Sequence, residues 1–302
     1  MLSRQAKAGG IDADTLARLP LVDPAGLHAL QLPSAERVAL DRRVRACDRL
    51  TQQAADHKRR IKTLVRQLLP TSPLTGDLGR ADLAVLERTG ADPHALLRCG
   101  QARLGRLIRT ASHGQQHTGR AAQWLHAAHA SLQLYDDHPA VAFTDLAAEV
   151  QTEVRLLRAT KLSSSAMPPS GSTATAGPGP LKLARSLPGL AQIGGPALTA
   201  TMGPAHRFPT AGRFRSFTGL APRASETGNS DRKSQPISKA GNRLLRTTLH
   251  RAADTARHLD PQLARIYYVQ MVQRGKDHLG AVCVVAAHLA ERAWTVMDRG
   301  MP

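Results

Sequence analysis

The sequence predicts a mainly α-helical protein, with a long helical coiled-coil arm followed by a compact helical C-terminal domain that contains a helix-hairpin-helix-like element. Composition supports this fold class: aromatic residues are 3% of the 302 residues, whereas hydrophobic residues are 42%. A core of this kind must be built from Leu, Ala and Val, and Leu and Ala are strong helix formers. The second observation is an apolar pattern in steps of three and four residues, which is typical of amphipathic helices.

The clearest helical pattern covers residues 34–69. Ser34 follows a proline and is the predicted N-cap, and Pro70 is predicted to end the helix. One face is apolar and consists of Leu40, Val44, Cys47, Leu50, Ala54, Ile61, Leu64 and Leu68. The opposite face is rich in Arg and Lys, which is typical of a solvated coiled-coil surface. A nucleic-acid contact is the alternative interpretation of this basic face.

The rest of the chain divides at a stretch of unusual composition. Residues 159–180 are rich in Ser, Pro, Gly and Ala, which predicts a flexible linker. The linker separates a helical region, 34–158, from a C-terminal domain, 181–302. Shorter helices are predicted before it, at about 81–88, 93–112, 120–135 and 140–159.

Residues 187–198 predict two helices joined by a tight turn. Glycines at 189, 194 and 195 would let a phosphate approach the backbone, and the second helix would offer free N–H groups. An ordinary corner between two helices explains the same pattern equally well.

Further helices are predicted towards the C-terminus. Ser238 is the predicted N-cap of a basic helix. Two more helices are predicted at about 261–273 and 277–298. The last carries an almost uninterrupted apolar run, which predicts the buried centre of the domain.

Charge points to the class of partner. The chain carries a net charge of +18, and residues 205–251 hold ten Lys and Arg against two Asp and Glu. A domain this basic favours nucleic acid as the partner. The three cysteines are too widely spaced for a zinc finger or a disulfide framework. The absence of a secretory signal and of a long apolar run predicts a cytoplasmic location with no membrane span.

The most basic segment also carries hydroxyl groups. Ser225, Thr227 and Ser230 lie among cations of the same loop, which are Arg223, Arg232 and Lys233. A hydroxyl can attack a phosphodiester while cations stabilise the charge that develops on phosphorus. The alternative is a loop that only binds phosphate.

Several motifs in the C-terminal domain resemble the insertion-sequence-110 type transposases. The motifs are Leu187-Pro188-Gly189-Leu190, Arg207-Phe208, Phe217-Thr218-Gly219-Leu220-Ala221-Pro222, Thr227-Gly228 and the segment from Ile237 to Arg246. Residues 11–158 are similar to an actinobacterial branch of the same family. The resemblance implies an N-terminal RuvC-like domain that binds Mg²⁺, a coiled-coil region, and a C-terminal domain with a catalytic serine. It also implies DNA and a structured guide RNA as partners, and a homodimer or higher oligomer.

The resemblance assigns roles to residues of this chain. The serine position of the family falls on Thr227, and Ser225 is the neighbouring substitute, so both are candidate nucleophiles. Backbone contacts to nucleic acid fall on Arg223, Arg232, Lys233, Lys239, Asn242, Arg243 and Arg246, with Gly189, Gly194 and Gly195.

The metal site of the family is incomplete in this sequence. Asp12 matches one of its acidic residues, but Gly9 occupies the place of another. A two-metal site needs several carboxylates, so Mg²⁺ is not expected to bind to this chain alone. Residues 1–33 are therefore interpreted as the end of a RuvC-like domain in an N-terminally truncated member.

The resulting hypothesis is an insertion-sequence transposase that cleaves DNA with a hydroxyl nucleophile. The alternative is a catalytically inactive remnant that still binds nucleic acid. A third class is a helical interaction protein whose charge serves only solubility.

Overall fold

The computed structural model describes residues 32–115, 119–135, 142–166, 179–223, 226–227, 230–231 and 236–301, and the residue pairs 13–14, 17–18 and 21–22. The mainly α-helical fold class is confirmed. Within the described part, the exception is a pair of two-residue antiparallel strands, β1 (Glu226–Thr227) and β2 (Ser230–Asp231).

The first helical region contains α1 (Ala35–Leu68), α2 (Arg80–Thr89), α3 (Pro93–Ala111), α4 (Gly119–Tyr135) and α5 (Phe143–Ala166). The side chain of Ser34 accepts a hydrogen bond from the amide of Arg37 at 3.3 Å, so the predicted N-cap of α1 is confirmed. Asp92 caps α3 in the same way, through the amides of His94 and Ala95. A short polar side chain before each helix thus satisfies amides that the helix itself leaves unpaired.

The second half of α1 packs along α5, and α2, α3 and α4 complete the first core. Ile61, Val65 and Leu68 of α1 are fully buried there, together with Trp124 and Val154. The apolar face of α1 is only half-buried between this core and residue 44. The long helix is therefore part of the first core at its C-terminal end, and it is more exposed between residues 44 and 61.

The C-terminal region contains α6 (Pro180–Ser186), α7 (Gly194–Met202), a 3₁₀ turn (Ala205–Arg207), α8 (Ala211–Thr218), α9 (Arg243–Leu259), α10 (Pro261–Tyr268), a π-helical turn (Val269–Gln273) and α11 (His278–Arg299). Phe208 and Phe214 are buried within the core of this region, and their ring centroids lie 5.2 Å apart. The second core thus combines one aromatic cluster with a helical interior of Leu, Val and Ala.

Helix α11 lies at the centre of the second core. Its residues Val282, Val285, Ala286 and Leu289 are fully buried, as the sequence predicts. Among the described residues, α11 is the one helix long and apolar enough to cross a membrane, and 44% of its most apolar window is buried inside the protein. Because a central core helix needs the same composition, its hydropathy is explained by packing.

The N-terminal half of α1 contacts the second core. Val44 is buried against Ala197 and Ala200 of α7, and Leu40 and Leu244 pack around them. One continuous helix therefore reaches from the first core to the second.

Several element boundaries differ from the sequence-based expectation. The helix α5 continues to Ala166, inside the predicted linker, and α6 begins at Pro180; residues 167–178 lie outside the described residues. The predicted start of the basic helix at Ser238 is wrong, because α9 begins at Arg243 with Asn242 as its N-cap. Residues 236–242 instead pair with the chain that precedes them, as described below.

Candidate nucleic-acid interface

Between α8 and α9, the described stretches 219–223 and 236–241 run antiparallel to each other. The amide of Arg223 donates to the carbonyl oxygen of Pro236 at 2.9 Å, and the amide of Ser238 donates to that of Ala221 at 2.8 Å. Pro222 and Ile237 form an antiparallel bridge between these bonds. Further out, Thr227 of β1 is paired with Ser230 of β2. We call residues 219–241 the hairpin segment.

Two glycines allow the base of the hairpin segment to pack closely. Gly219 ends α8 in the left-handed conformation, with φ of 74°. Gly241 has φ of 146°, and a Cβ atom there would lie 2.5 Å from the carbonyl oxygen of Phe217. Asn242 then donates its amide to that same oxygen at 2.8 Å. Both ends of the segment are therefore fixed at one point of the core.

Helix α9 starts directly after the hairpin segment. The side chain of Asn242 accepts the amide of Leu245 at 3.0 Å, so this residue serves as the N-cap of α9. Arg246 lies one turn further and donates from Nη1 to the carbonyl oxygen of Lys239 at 2.8 Å. Lys239 itself adopts φ of 56°, outside the helix in which the sequence predicts it. The first turn of α9 and the returning strand thus form one hydrogen-bonded unit.

This unit carries a cationic surface. Arg223, Lys239 and Arg243 are exposed. Among the carboxylates whose side chains the structure describes, none forms an ion pair with these three residues or with Arg246. Their charges are therefore available to an anionic partner.

A pocket of about 270 Å³ opens beside α9 at the base of the hairpin segment. Its lining consists of Leu220, Ile237, Arg246, Thr247, His250 and Arg251. Thr247 and Arg251 were not among the sequence-predicted site residues. They lie one helical turn apart on the same face, and Arg243 lies one turn before them. This i, i+4 spacing is the signal that could have found them.

The structure describes only part of the predicted catalytic loop. Ser225, Arg232 and Lys233 lie outside the described residues, as does Asp12. The backbone of Thr227 lies in β1. The catalytic roles of Ser225 and Thr227 therefore stay predictions.

The three glycines of the predicted helix-hairpin-helix element face protein atoms. Gly189 has φ of 77°, and a Cβ atom there would lie 2.2 Å from the carbonyl oxygen of Ala252 in α9. Cβ atoms at Gly194 and Gly195 would meet the side chains of Leu190 and Arg185 at 2.6 and 2.8 Å. Packing thus accounts for glycine at all three positions, which favours the helix-corner interpretation that the sequence left open.

Among the described residues, no group of three or more His, Cys, Asp or Glu side chains is arranged to hold a metal ion. The donor set of this part of the chain therefore does not fit the Mg²⁺ site that the resemblance implies.

Comparison with known proteins identifies a matching family and a similar protein. Residues 181–268 match the model of the transposase IS116/IS110/IS902 family. A protein of the insertion element IS110 from Streptomyces coelicolor, described as an uncharacterised 43.6 kDa protein, is 33% identical over 101 residues. The aligned part is 33% of this chain, and the chain spans about a quarter (24%) of that relative. The family match includes the hairpin segment, all of α9 and α10.

Proposed function

The C-terminal region of this chain is a transposase domain of the IS116/IS110/IS902 family, and from this premise we propose that the chain binds the DNA of an insertion sequence and takes part in its cleavage. The hairpin segment and the exposed face of α9 form the DNA interface. The observation that carries this proposal is the cationic surface at the base of the hairpin segment, where Arg223, Lys239 and Arg243 are exposed.

Electrostatics explains why such a surface would bind DNA. Each phosphate that a cation neutralises releases condensed counterions, and this release makes binding strong at low salt. Arginine adds geometric preference because its planar fork can donate two parallel hydrogen bonds to one phosphate. Arg243 and Arg251 lie on one face of α9, so they can contact successive positions of a sugar-phosphate backbone. We expect phosphate contacts to position the DNA and to carry little sequence information.

The proposed chemical step uses a hydroxyl of the hairpin segment. The oxygen of Ser225 or Thr227 attacks a backbone phosphorus, and a new O–P bond forms as the bond from phosphorus to a deoxyribose oxygen breaks. The hydroxyl proton passes to water, and the departing deoxyribose oxygen takes up a proton from water, so the step is balanced in protons. The energy of the phosphodiester bond is conserved in the covalent protein–DNA bond. The free deoxyribose hydroxyl of another DNA strand can later attack this phosphorus and release the protein oxygen. Cations of the interface would stabilise the charge on the phosphoryl oxygens.

The wider assembly follows from the family resemblance. We propose a structured RNA as a second partner, a homodimer or higher oligomer as the active form, and a cytoplasmic location. Asp12 is the residue of this chain that could contribute to a Mg²⁺ site. The described residues hold no group of three or more His, Cys, Asp or Glu side chains arranged to bind a metal ion, and the proposed hydroxyl step uses groups of this chain alone.

A covalent adduct tests the proposed chemistry. The full chain is incubated with labelled insertion-sequence-end DNA, guide RNA and Mg²⁺, and the products are separated under denaturing conditions. A slower, protease-sensitive DNA band is expected, and the double variant Ser225→Ala with Thr227→Ala should lack it. Ser216→Ala is the matched control, since this hydroxyl lies in α8 and donates to the carbonyl oxygen of Gly212. A band that persists in the double variant contradicts the assignment.

The second candidate function is nucleic-acid binding without cleavage. It is favoured by the exposed cations Arg223, Lys239 and Arg243, because binding through these charges needs no reactive hydroxyl. Salt-dependent binding with no covalent adduct supports this candidate. Absence of binding at about 50 mM salt supports instead the helical interaction protein, because phosphate contacts are strongest at low salt.

A further inference from the structure

A second basic concavity lies far along the chain from the hairpin segment, in the first helical region. It is a hollow of about 540 Å³ between α2 and α3. The lining consists of Arg88, Thr89, Ala95, Arg98, Cys99, Arg103, Arg106, Leu107 and Thr110. We call its four arginines, Arg88, Arg98, Arg103 and Arg106, the arginine groove. The family match at residues 181–268 does not include it.

A break in α3 brings the arginines together. In a continuous helix, Arg98 and Arg103 would point about 140° apart, because each residue advances by about 100°. Gly100 interrupts the helix with φ of 71° and ψ of 163°. This conformation is open almost only to glycine. A Cβ atom at Gly100 would meet nothing within 4 Å, so the glycine serves the backbone conformation and not close packing.

Asp92 and Glu87 are the carboxylates next to the groove in sequence, and both already have partners. Asp92 accepts the amides that begin α3, and its oxygen is 3.8 Å from Arg98, whose side chain is 75% exposed. Glu87 pairs with Arg158 at 2.7 Å. Among the residues that the structure describes, no carboxylate lies within ion-pair distance of the other three arginines. Four like charges around one hollow repel each other, so an anion bound there lowers the electrostatic energy.

The lining of the hollow is not purely cationic. Leu107 and Cys99 are half-buried and add apolar surface to it. The hydroxyl of Thr89 is buried and donates to the carbonyl oxygen of Val85 at 2.8 Å, so it is not available to donate to a ligand. A lining that combines cations with apolar surface suits a polymer in which charged phosphates alternate with less polar sugars and bases.

We propose that the arginine groove is a second polynucleotide-binding site, which holds the phosphodiester backbone of a nucleic acid that the C-terminal interface also contacts. The proposal rests on the proposed function in one respect, namely that nucleic acid is the ligand of this chain. The groove is open, so a single phosphate would bind weakly there. A polynucleotide already held by the C-terminal interface would meet the groove at a raised effective concentration. Weak phosphate contacts in the groove would then add to the overall affinity.

Binding of fluorescent polynucleotides by the full chain tests the groove. The probes are a duplex DNA and an RNA hairpin of equal charge, and anisotropy is measured from about 50 to 200 mM salt. The groove variant is Arg103→Ala with Arg106→Ala. The matched control is Arg155→Ala with Arg299→Ala, which removes equal charge from exposed positions on α5 and α11. The interface variant is Arg243→Ala with Arg251→Ala.

The groove variant is expected to weaken binding of at least one probe about tenfold and to reduce the salt slope by about two, since each lost phosphate contact lowers the slope by about 0.9. The probe that responds identifies the polymer. A groove variant that binds both probes like the control overturns the inference, whatever the interface variant does. A groove effect without an interface effect supports nucleic-acid binding in the groove, but it contradicts the proposed C-terminal interface and the sharing of one nucleic acid by the two sites. No binding by the wild-type chain contradicts both.

Chemical protection of Cys99 gives an independent measurement. Cys99 lines the groove, whereas burial raises the pKa of the Cys47 and Cys283 thiols elsewhere. Bound nucleic acid should slow maleimide modification of Cys99 several-fold relative to Cys47, as read by mass spectrometry. The groove variant should lose this protection. Unchanged Cys99 reactivity in a saturated wild-type complex overturns the inference.

Discussion

Arg246 donates a hydrogen bond from Nη1 to the backbone carbonyl oxygen of Lys239 at 2.8 Å. This contact joins the first turn of α9 to the returning strand of the hairpin segment. It also holds two cations, one on each element, at the same place on the surface. The geometry of the proposed interface therefore depends on this hydrogen bond of Arg246 as well as on its charge.

Loss of the Arg246–Lys239 hydrogen bond should lower the local stability of the base of the hairpin segment. We expect Arg246→Ala to destabilise the fold by about 1 kcal/mol, the usual net value of one hydrogen bond. Amide exchange should become faster at Ser238, which donates to Ala221 in the adjoining ladder. Hydrogen exchange of the free protein measures this effect. Arg243→Ala is the control, because it removes a neighbouring charge but leaves the Arg246–Lys239 hydrogen bond in place. Equal exchange rates in the two variants would contradict a stabilising role of this hydrogen bond.

Gly189 should be needed for stability. Alanine there would place Cβ 2.2 Å from the carbonyl oxygen of Ala252, with φ of 77°. Gly275 has φ of 61° but open space around it, so Gly275→Ala measures the backbone strain alone. We expect a cost of about 1–2 kcal/mol for Gly275→Ala, and about 1–3 kcal/mol more for Gly189→Ala because of the clash.

Urea denaturation compares the two glycine variants. If Gly189→Ala is no more destabilising than Gly275→Ala, the close packing of the turn against α9 is wrong. If Gly189→Ala keeps full stability and loses only DNA affinity, the phosphate-binding interpretation of this glycine is supported instead.

Asp260 should make stability depend on pH in acid. Its carboxylate caps α10 through the amides of Gln262 and Leu263 and pairs with Arg292 at 2.5 Å. Burial acts to raise the pKa of Asp260, but the Leu263 amide and Arg292 outweigh burial, and the pKa is lowered overall. A lowered pKa stabilises the fold above the unfolded pKa of about 3.9, and this contribution is lost as the pH falls through the lower folded value.

The variant Asp260→Asn separates charge from capping, because Asn is an equally good N-cap. We expect its melting temperature to fall less steeply than that of the wild type below about pH 4. Melting curves from pH 3 to pH 7 make the comparison. If the melting temperatures of the two proteins fall equally steeply below about pH 4, the Asp260 charge contributes nothing to stability.

Helix α1 should couple the two cores through Val44. This side chain is 4% exposed and packs against Ala197 and Ala200. An unpaired charge there is costly, so Val44→Asp should detach α1 from α7 and separate the unfolding of the two regions. Calorimetry should then show two transitions, whereas Ala39→Asp, on the exposed face of the same helix, should behave like the wild type. Identical curves for both variants argue against the coupling.

The start of each helix shows what the sequence could and could not predict. The start of α1 was predictable from Ser34, because an N-cap and the periodic face after it are local signals. Ser238 and Asn242 are both good N-caps, so local signals could not choose between them. The choice is made by the ladder that binds residues 236–242 to the chain before them, and such long-range pairing is not visible in a local pattern.

The candidate sites show the same division. The cationic surface at the base of the hairpin segment was predictable, because its charge is concentrated in one stretch of sequence. The arginine groove was not, because its residues come from two helices and lie on different faces of an ideal α3. The break at Gly100 changes this placement, and an isolated glycine within a helical pattern does not by itself predict a break.

The salt dependence of DNA binding tests the proposed C-terminal interface most directly. The wild-type chain, the Arg243→Ala/Arg251→Ala variant and the Arg155→Ala/Arg299→Ala control are titrated with the same insertion-sequence-end duplex at several salt concentrations. If α9 contacts the backbone, the interface variant should bind about tenfold more weakly, with a slope of log K against log salt reduced by about two, while the control keeps the wild-type slope. Equal slopes for the interface variant and the control would contradict the proposed interface.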